Sequence, residues 1–153
     1  MANSAGMAPT FARDLMNGTH AFGVPPIRAG ATPDTFKLAL YLASASIGPA
    51  TTAYTATGEA TGAGYVAGGK TVTYGTVPSV SGDSGIVTPS ASVVWTGLTA
   101  GPFDCALQYN SSQSNLATGA FTFPVQTIVA GTFTLTMPTN APGTALIEID
   151  TTP

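Results

Sequence analysis

The residues with the most chemistry in their spacing are Gly64-Tyr-Val-Ala-Gly-Gly69-Lys70-Thr71, which match the phosphate-loop pattern letter for letter. Such a loop works because its amides and lysine wrap phosphates between a strand and the N-terminus of a helix. Here the continuation, Thr71-Val-Thr-Tyr-Gly-Thr-Val77, is β-branched and alternating, so a strand is expected where that helix should begin. Nothing upstream reads as a parallel βαβ unit, and no hydrophobic run ends in an Asp that could hold magnesium. The motif therefore reads as a Gly-rich turn entering a strand, and no nucleotide is expected at Lys70.

A second pattern, Gly82-Asp83-Ser84-Gly85, echoes the nucleophile segment of chymotrypsin-like proteases. That chemistry needs a histidine base oriented by a carboxylate, and an oxyanion hole. The single histidine, His20, lies in a Pro- and Gly-rich N-terminal stretch, and Ile86 follows the motif where the family has glycine. Tight turns are built from the same residue types, so a turn is the expected reading. Cys105 alternates with Leu107 and Tyr109 and reads as a buried thiol. As the one cysteine of the chain, it excludes an internal disulfide and a Cys-based zinc site. Asp83, Asp104, Glu148 and Asp150 lack calcium-loop spacing. Asn17-Gly-Thr19 and Asn110-Ser-Ser112 match glycosylation acceptors. The first residues, Met1-Ala-Asn-Ser-Ala-Gly6, lack the basic and apolar segments of a secretory leader, so these matches read as incidental. No catalytic residue, no metal and no cofactor is expected.

Composition explains why chemistry is so thin. The chain has 153 residues, of which 7% are charged: four Lys and Arg, seven Asp and Glu, net charge -3. Four cations cannot neutralise a nucleic-acid backbone, and no apolar run is long enough to span a membrane as a helix. Neither nucleic acid nor membrane is expected as a partner. The chain is 44% hydrophobic with a mean hydropathy of +0.28, enough to bury a core despite 18 Gly and 12 Pro.

The elements that must position these residues are nearly all strands. Residues 35–43 alternate, with Phe36, Leu38, Leu40 and Leu42 on one face and Lys37, Ala39 and Tyr41 on the other. Residues 132–137 repeat the pattern, turning Phe133, Leu135 and Met137 inward and Thr132, Thr134 and Thr136 outward. Further strands are expected at 70–77, 90–95 (ending in a core anchor, Trp95), 103–110, 120–129 and 145–149. Turn clusters separate them at 47–49, 81–85, 99–102 and 140–143. This spacing predicts an all-β chain, a β-sandwich or jelly-roll-like domain over residues 31–153. Residues 1–30 read as a short helix capped by Thr10 and stopped at Gly18, then an extended arm that Pro25 and Pro26 keep out of a helix. Such an arm is expected to gain order on a partner, with Phe11, Leu15, Phe22, Val24 and Ile27 as its partner-binding residues.

Three runs carry a family resemblance: Asp34-Thr-Phe-Lys-Leu-Ala-Leu-Tyr41, Thr51-Thr-Ala-Tyr-Thr-Ala-Thr-Gly-Glu59, and Thr61-Gly-Ala-Gly-Tyr-Val-Ala-Gly-Gly-Lys-Thr71. With Phe11–Phe22 ahead of the first strand, a central Val93-Val-Trp95 and a late Gly131-Thr-Phe-Thr-Leu-Thr-Met-Pro138, the order of motifs resembles a group of small virion proteins of tailed bacteriophages. The similarity covers roughly residues 10 to 150 and lies in packing and turn motifs. It implies a structural virion protein, a capsid cement or decoration protein on the outer surface of the assembled shell; a tail or head-to-tail connector component is the alternative. It further implies the major capsid protein and neighbouring copies, as dimer or trimer, as partners, with the host cytoplasm as the place of assembly.

Overall fold

The computed structural model describes residues 3–7, 19–20, 22–23, 32–76, 78–82 and 84–150. They form eight strands: β1 (Gly6–Met7), β2 (Phe36–Leu42), β3 (Lys70–Val72), β4 (Ser79–Ser81), β5 (Ser84–Val87), β6 (Val93–Asn110), β7 (Leu116–Leu135) and β8 (Ile147–Asp150). Two antiparallel sheets result, one ordered β1-β7-β6-β2-β3 and the other β4-β5-β8. No helix occurs among the described residues; the helix expected between Thr10 and Gly18 lies outside them.

The largest departure from the expected strands is their fusion. Residues 93–95 of the expected strand 90–95 and all of 103–110 belong to one strand, β6, and 120–129 and 132–137 belong almost entirely to another, β7. The expected turn at 99–102 does not reverse the chain. Its Gly-Pro signal marks a bend within a strand, because the extra residues are absorbed as bulges: the β6–β7 register shifts repeatedly between Trp95 and Cys105. Gly101 sits at φ 134, and a Cβ there would lie 2.7 Å from the carbonyl oxygen of Gln126. Only glycine lets the two strands approach so closely at the bend.

The bend brings the ribbon back over itself. Phe123 and Phe133 are ten residues apart on β7, about 33 Å in a straight strand. Their rings are nevertheless 5.3 Å apart, and both pack against Phe103. Trp95 is thereby enclosed together with Phe36, Leu38 and Leu40, as their sequence pattern predicts, and Leu98 and Phe103 join them. Phe133 and Leu135 lie partly buried against this core, and Thr132, Thr134 and Thr136 are exposed.

The alternation along β2 predicts one buried face, whereas the structure buries both. Ala39 and Tyr41 are fully enclosed in a second cluster with Ile47, Cys105, Leu107 and Tyr109. The cover is the long excursion between β2 and β3, which returns over the outer face of the sheet: Ala60 N–H donates to the Leu40 carbonyl, Leu42 N–H to Gly58, and Ala117 N–H to Thr52.

The N-terminal region also departs from expectation where it is described. Residues 3–7 attach to the domain, with β1 pairing against Gly119 and Ala120 of β7. Asn3 donates to the Asp104 carboxylate and the Leu42 carbonyl and accepts from Ile47 N–H. Phe22, assigned from sequence to the partner-binding arm, is 3% exposed and stacks on Phe36 at 4.6 Å, with Tyr74 edge-on at 5.3 Å. An aromatic ring removes so much apolar area from water that the chain's own core claims it. Phe11, Leu15, Val24 and Ile27 lie outside the described residues.

Two substitutions check this core. Phe22→Ala should destabilise the isolated protein by about 3–5 kcal/mol and Leu40→Ala by about 2–5 kcal/mol in urea denaturation. Thr134→Ala should stay within about 0.5 kcal/mol. A Phe22→Ala protein as stable as the parent would return Phe22 to the surface.

Candidate functional site

Glu59 is the only charged residue between Lys37 and Lys70, and it is buried. The excursion over the sheet folds around it. Its Oε1 accepts from the Tyr65 hydroxyl and from Gly68 N–H, both at 2.7 Å, and its Oε2 accepts from the Tyr54 hydroxyl at 2.7 Å. Tyr65 in turn accepts from Leu40 N–H at 3.0 Å, and the Tyr109 hydroxyl donates to the Gly68 carbonyl at 2.8 Å. Tyr54 stacks on Tyr109 with ring centres 4.8 Å apart. A buried carboxylate is tolerated when its lone pairs are occupied by donors, and three donors occupy this one. Its chemistry is spent on holding the excursion to the sheet.

The phosphate-loop pattern dissolves into the same arrangement. Gly68 N–H, an amide that such a loop would offer to phosphate, serves Glu59 instead. Gly69 has φ 73, and a Cβ there would collide with the Leu38 carbonyl, so glycine is needed to enter β3. Lys70 opens that strand, and its Nζ donates to the Val94 carbonyl at 2.7 Å. Sequence reasoning passed over Glu59 as a site. The available signal was a lone carboxylate in a long uncharged run, flanked by Tyr54 and Tyr65.

A second polar cluster centres on Asn110, fully buried at the end of β6. Its Oδ1 accepts from Ser112 N–H, and its Nδ2 donates to Asp34 Oδ2 at 2.8 Å. These two contacts orient the amide, so Nδ2 must also be the donor toward His20 Nδ1, 2.9 Å away. The only histidine is thus a buried acceptor beside Phe22 and Phe36. Ser84, of the protease-like motif, is a buried residue of β5 in the other sheet, at the hairpin with β4. Cys105 is fully enclosed, and burial, with the Asp104 charge behind it, pushes its thiol up to about 12, so it is protonated at neutral pH. Among the described residues, no group of three or more His, Cys, Asp and Glu side chains could hold a metal ion.

With the polar groups engaged internally, the open feature is an edge. β7 carries β6 on one side; on the other, β1 meets it only at residues 119–120, and Ala53 at Leu116. Among the described residues, no strand lies beside residues 121–135 on that side. Val125 and Val129 there are 57% and 76% exposed. Between Asp104 and Glu148 the sequence contains no charged side chain at all. Proteins ordinarily guard such edges with lysines, prolines or bulges; this one has Pro124 and the bulged Ala130 at φ 49.

No protein-family model matches this sequence, and no match was found among curated proteins or among solved structures.

Two outcomes check the Glu59 arrangement. Glu59→Gln keeps one acceptor and lets Tyr54 turn its hydroxyl, so it should cost about 1–2 kcal/mol. Glu59→Leu removes the acceptor from three donors, the buried Gly68 N–H among them, and should cost about 3–5 kcal/mol, both read by urea denaturation.

The tyrosines supply a pH test. Burial pushes the Tyr54 phenol up from 10.0 to about 12, with its hydrogen bond to Glu59 and that carboxylate's charge adding to the rise. Burial, and Glu59 behind it, also raises Tyr41, Tyr65 and Tyr109. Above about pH 10 the unfolded chain releases phenolic protons that the folded chain retains, so stability falls as pH rises. It should be intact below that value and decline toward pH 12. Tyrosinate absorbance and loss of ellipticity should therefore appear together in an alkaline titration.

Proposed function

We propose that this protein is a structural component of a tailed-bacteriophage particle, a cement or decoration protein bound to the outside of the assembled shell. The observation that carries this reading is the long, uncharged edge of β7, unpaired over 121–135 among the described residues, with Val125 and Val129 exposed. Such an edge is a template for pairing with another chain. Its burial would desolvate no charge, which suits extensive contact with capsid subunits and with neighbouring copies. A cement protein that binds only the assembled lattice adds its binding free energy to the stability of the shell. The two sheets, read as a β-sandwich-like body, supply a rigid base for that edge. The resemblance of the motif order to small virion proteins, read from sequence, points the same way.

The grip is assigned to the β7 edge and, from sequence, to Phe11, Leu15, Val24 and Ile27. Phe22 is withdrawn from it because it is buried in the core. No enzymatic activity is assigned.

An antibody raised against the recombinant protein should label the shell of particles produced from the encoding genome. Label confined to the tail would favour the connector reading, and no label on particles would overturn the proposal. Val129→Lys should weaken attachment to shells about tenfold or more in co-sedimentation, while its unfolding midpoint stays that of the parent.

A further inference from the structure

Two features interrupt the edge of β7, Pro124 and the bulged Ala130 at φ 49. Between them, residues 125–129 carry neither a proline nor a charge. Among the described residues, no strand pairs with them on the side away from β6. β1 does not reach them: its register steps from Ala120 to Gly119 as the chain runs from Gly6 to Met7, away from this window. Upstream of β1, Ser4 turns aside and donates its N–H to the Ile47 carbonyl. The backbone of the window points outward. The Gln126 carbonyl oxygen crowds Gly101 of β6, and a trans peptide turns the next N–H, that of Thr127, to the opposite side. Ala130 N–H donates to Thr99 Oγ1 of β6 at 2.9 Å, so the Val129 carbonyl also faces away from β6. Val125, Thr127 and Val129 are exposed while Gln126 and Ile128 are half-buried, which places the three on the outer face of the sheet.

We propose that two copies of this chain join at this window as an antiparallel pair with a two-fold axis at Thr127. Pro124 and Ala130 are equally spaced about Thr127, and so are Val125 and Val129. Two such windows therefore overlap fully in one antiparallel register, with Thr127 opposite the partner's Thr127 and Val125 opposite the partner's Val129. In that register the two Thr127 residues exchange backbone hydrogen bonds across the axis. Each exposed valine covers the other, and cross-strand contacts of this kind stabilise a sheet. Self-pairing sets like charges close together, which is how charged edges resist it. Here the sequence holds no charge from Cys105 to Ile147, so nothing opposes the pair. The contact is isologous and closes at two copies. This inference rests on the particle reading only in naming the partner of the same edge, and a pair attached through both copies would hold a shell bivalently.

The test is sedimentation velocity of the full chain over a concentration series, without shells. A contact this short should be reversible, so the parent should move from monomer toward dimer as concentration rises. Changing both Val125→Lys and Val129→Lys sets lysine opposite lysine at two places and should leave a monomer. Changing Val125→Lys with Val129→Glu sets lysine opposite glutamate at both places. That variant should associate about tenfold or more tightly than the double-lysine one, since opposite charges attract across strands and like charges repel. Both variants alter exposed side chains, and circular dichroism should show them folded like the parent. Thr127→Cys should give a disulfide-linked dimer on mild oxidation, because the axis brings the two thiols together, whereas Cys105 is buried. A parent protein that stays monomeric at every concentration would overturn the pairing, even if the antibody labels shells. Equal association of the two double variants would overturn it as well, because the register is part of the proposal. Dimers that behave as expected in a protein that labels no particle would support the pairing and overturn the particle reading alone.

Discussion

A two-stranded ribbon as long as β6–β7 would be a poor basis for a small domain if it ran straight, because each strand would expose most of its length. The repeated register shifts between Trp95 and Cys105 remove that difficulty by folding the ribbon over itself. The same pair of strands then supplies opposing walls, and the aromatic contacts among Phe103, Phe123 and Phe133 close the space between them. The remaining elements are placed by that fold. β2 and β3 extend the sheet from β6, and the three-stranded sheet contributes Val87 and Ile147 to the same core.

Scarcity of charge shapes what is left at the surface. Glu59, Asp34, Asp104, Glu148 and Lys70 each hydrogen-bond to another part of their own chain. They hold loops and the N-terminal segment against strands, positions where a charge-assisted bond is stronger than a neutral one. The sequence places no charge between Asp104 and Glu148, so none lies along β7. The internal fastening and the uncharged edge are two results of one composition.

The edge presents backbone groups and small apolar side chains along one side of the ribbon, a surface suited to another polypeptide.

By itself the sequence determined the all-β class, the inward face of β2 with Phe36, Leu38 and Leu40, the inward Trp95 and the outward threonines of residues 132–136. Alternation and β-branching are local properties that read directly on a strand. It also excluded a phosphate loop from its strand-like continuation, because that context is contiguous in the chain. What only the tertiary structure decided depends on distant partners. A Gly-Pro pair bends a chain whether it makes a turn or a bulge, and only the pairing of residues 93–110 with 116–135 made it a bulge. Tyr41 and Ala39 are buried because an excursion from elsewhere covers them, which no periodicity within β2 can encode. Phe22 enters the core because Phe36 and Tyr74 leave a place for it, and Glu59 becomes a fastening because three donors converge on it. Each of these is a contact between residues far apart along the chain or brought together only by the fold, and its free energy exists only once that fold has formed.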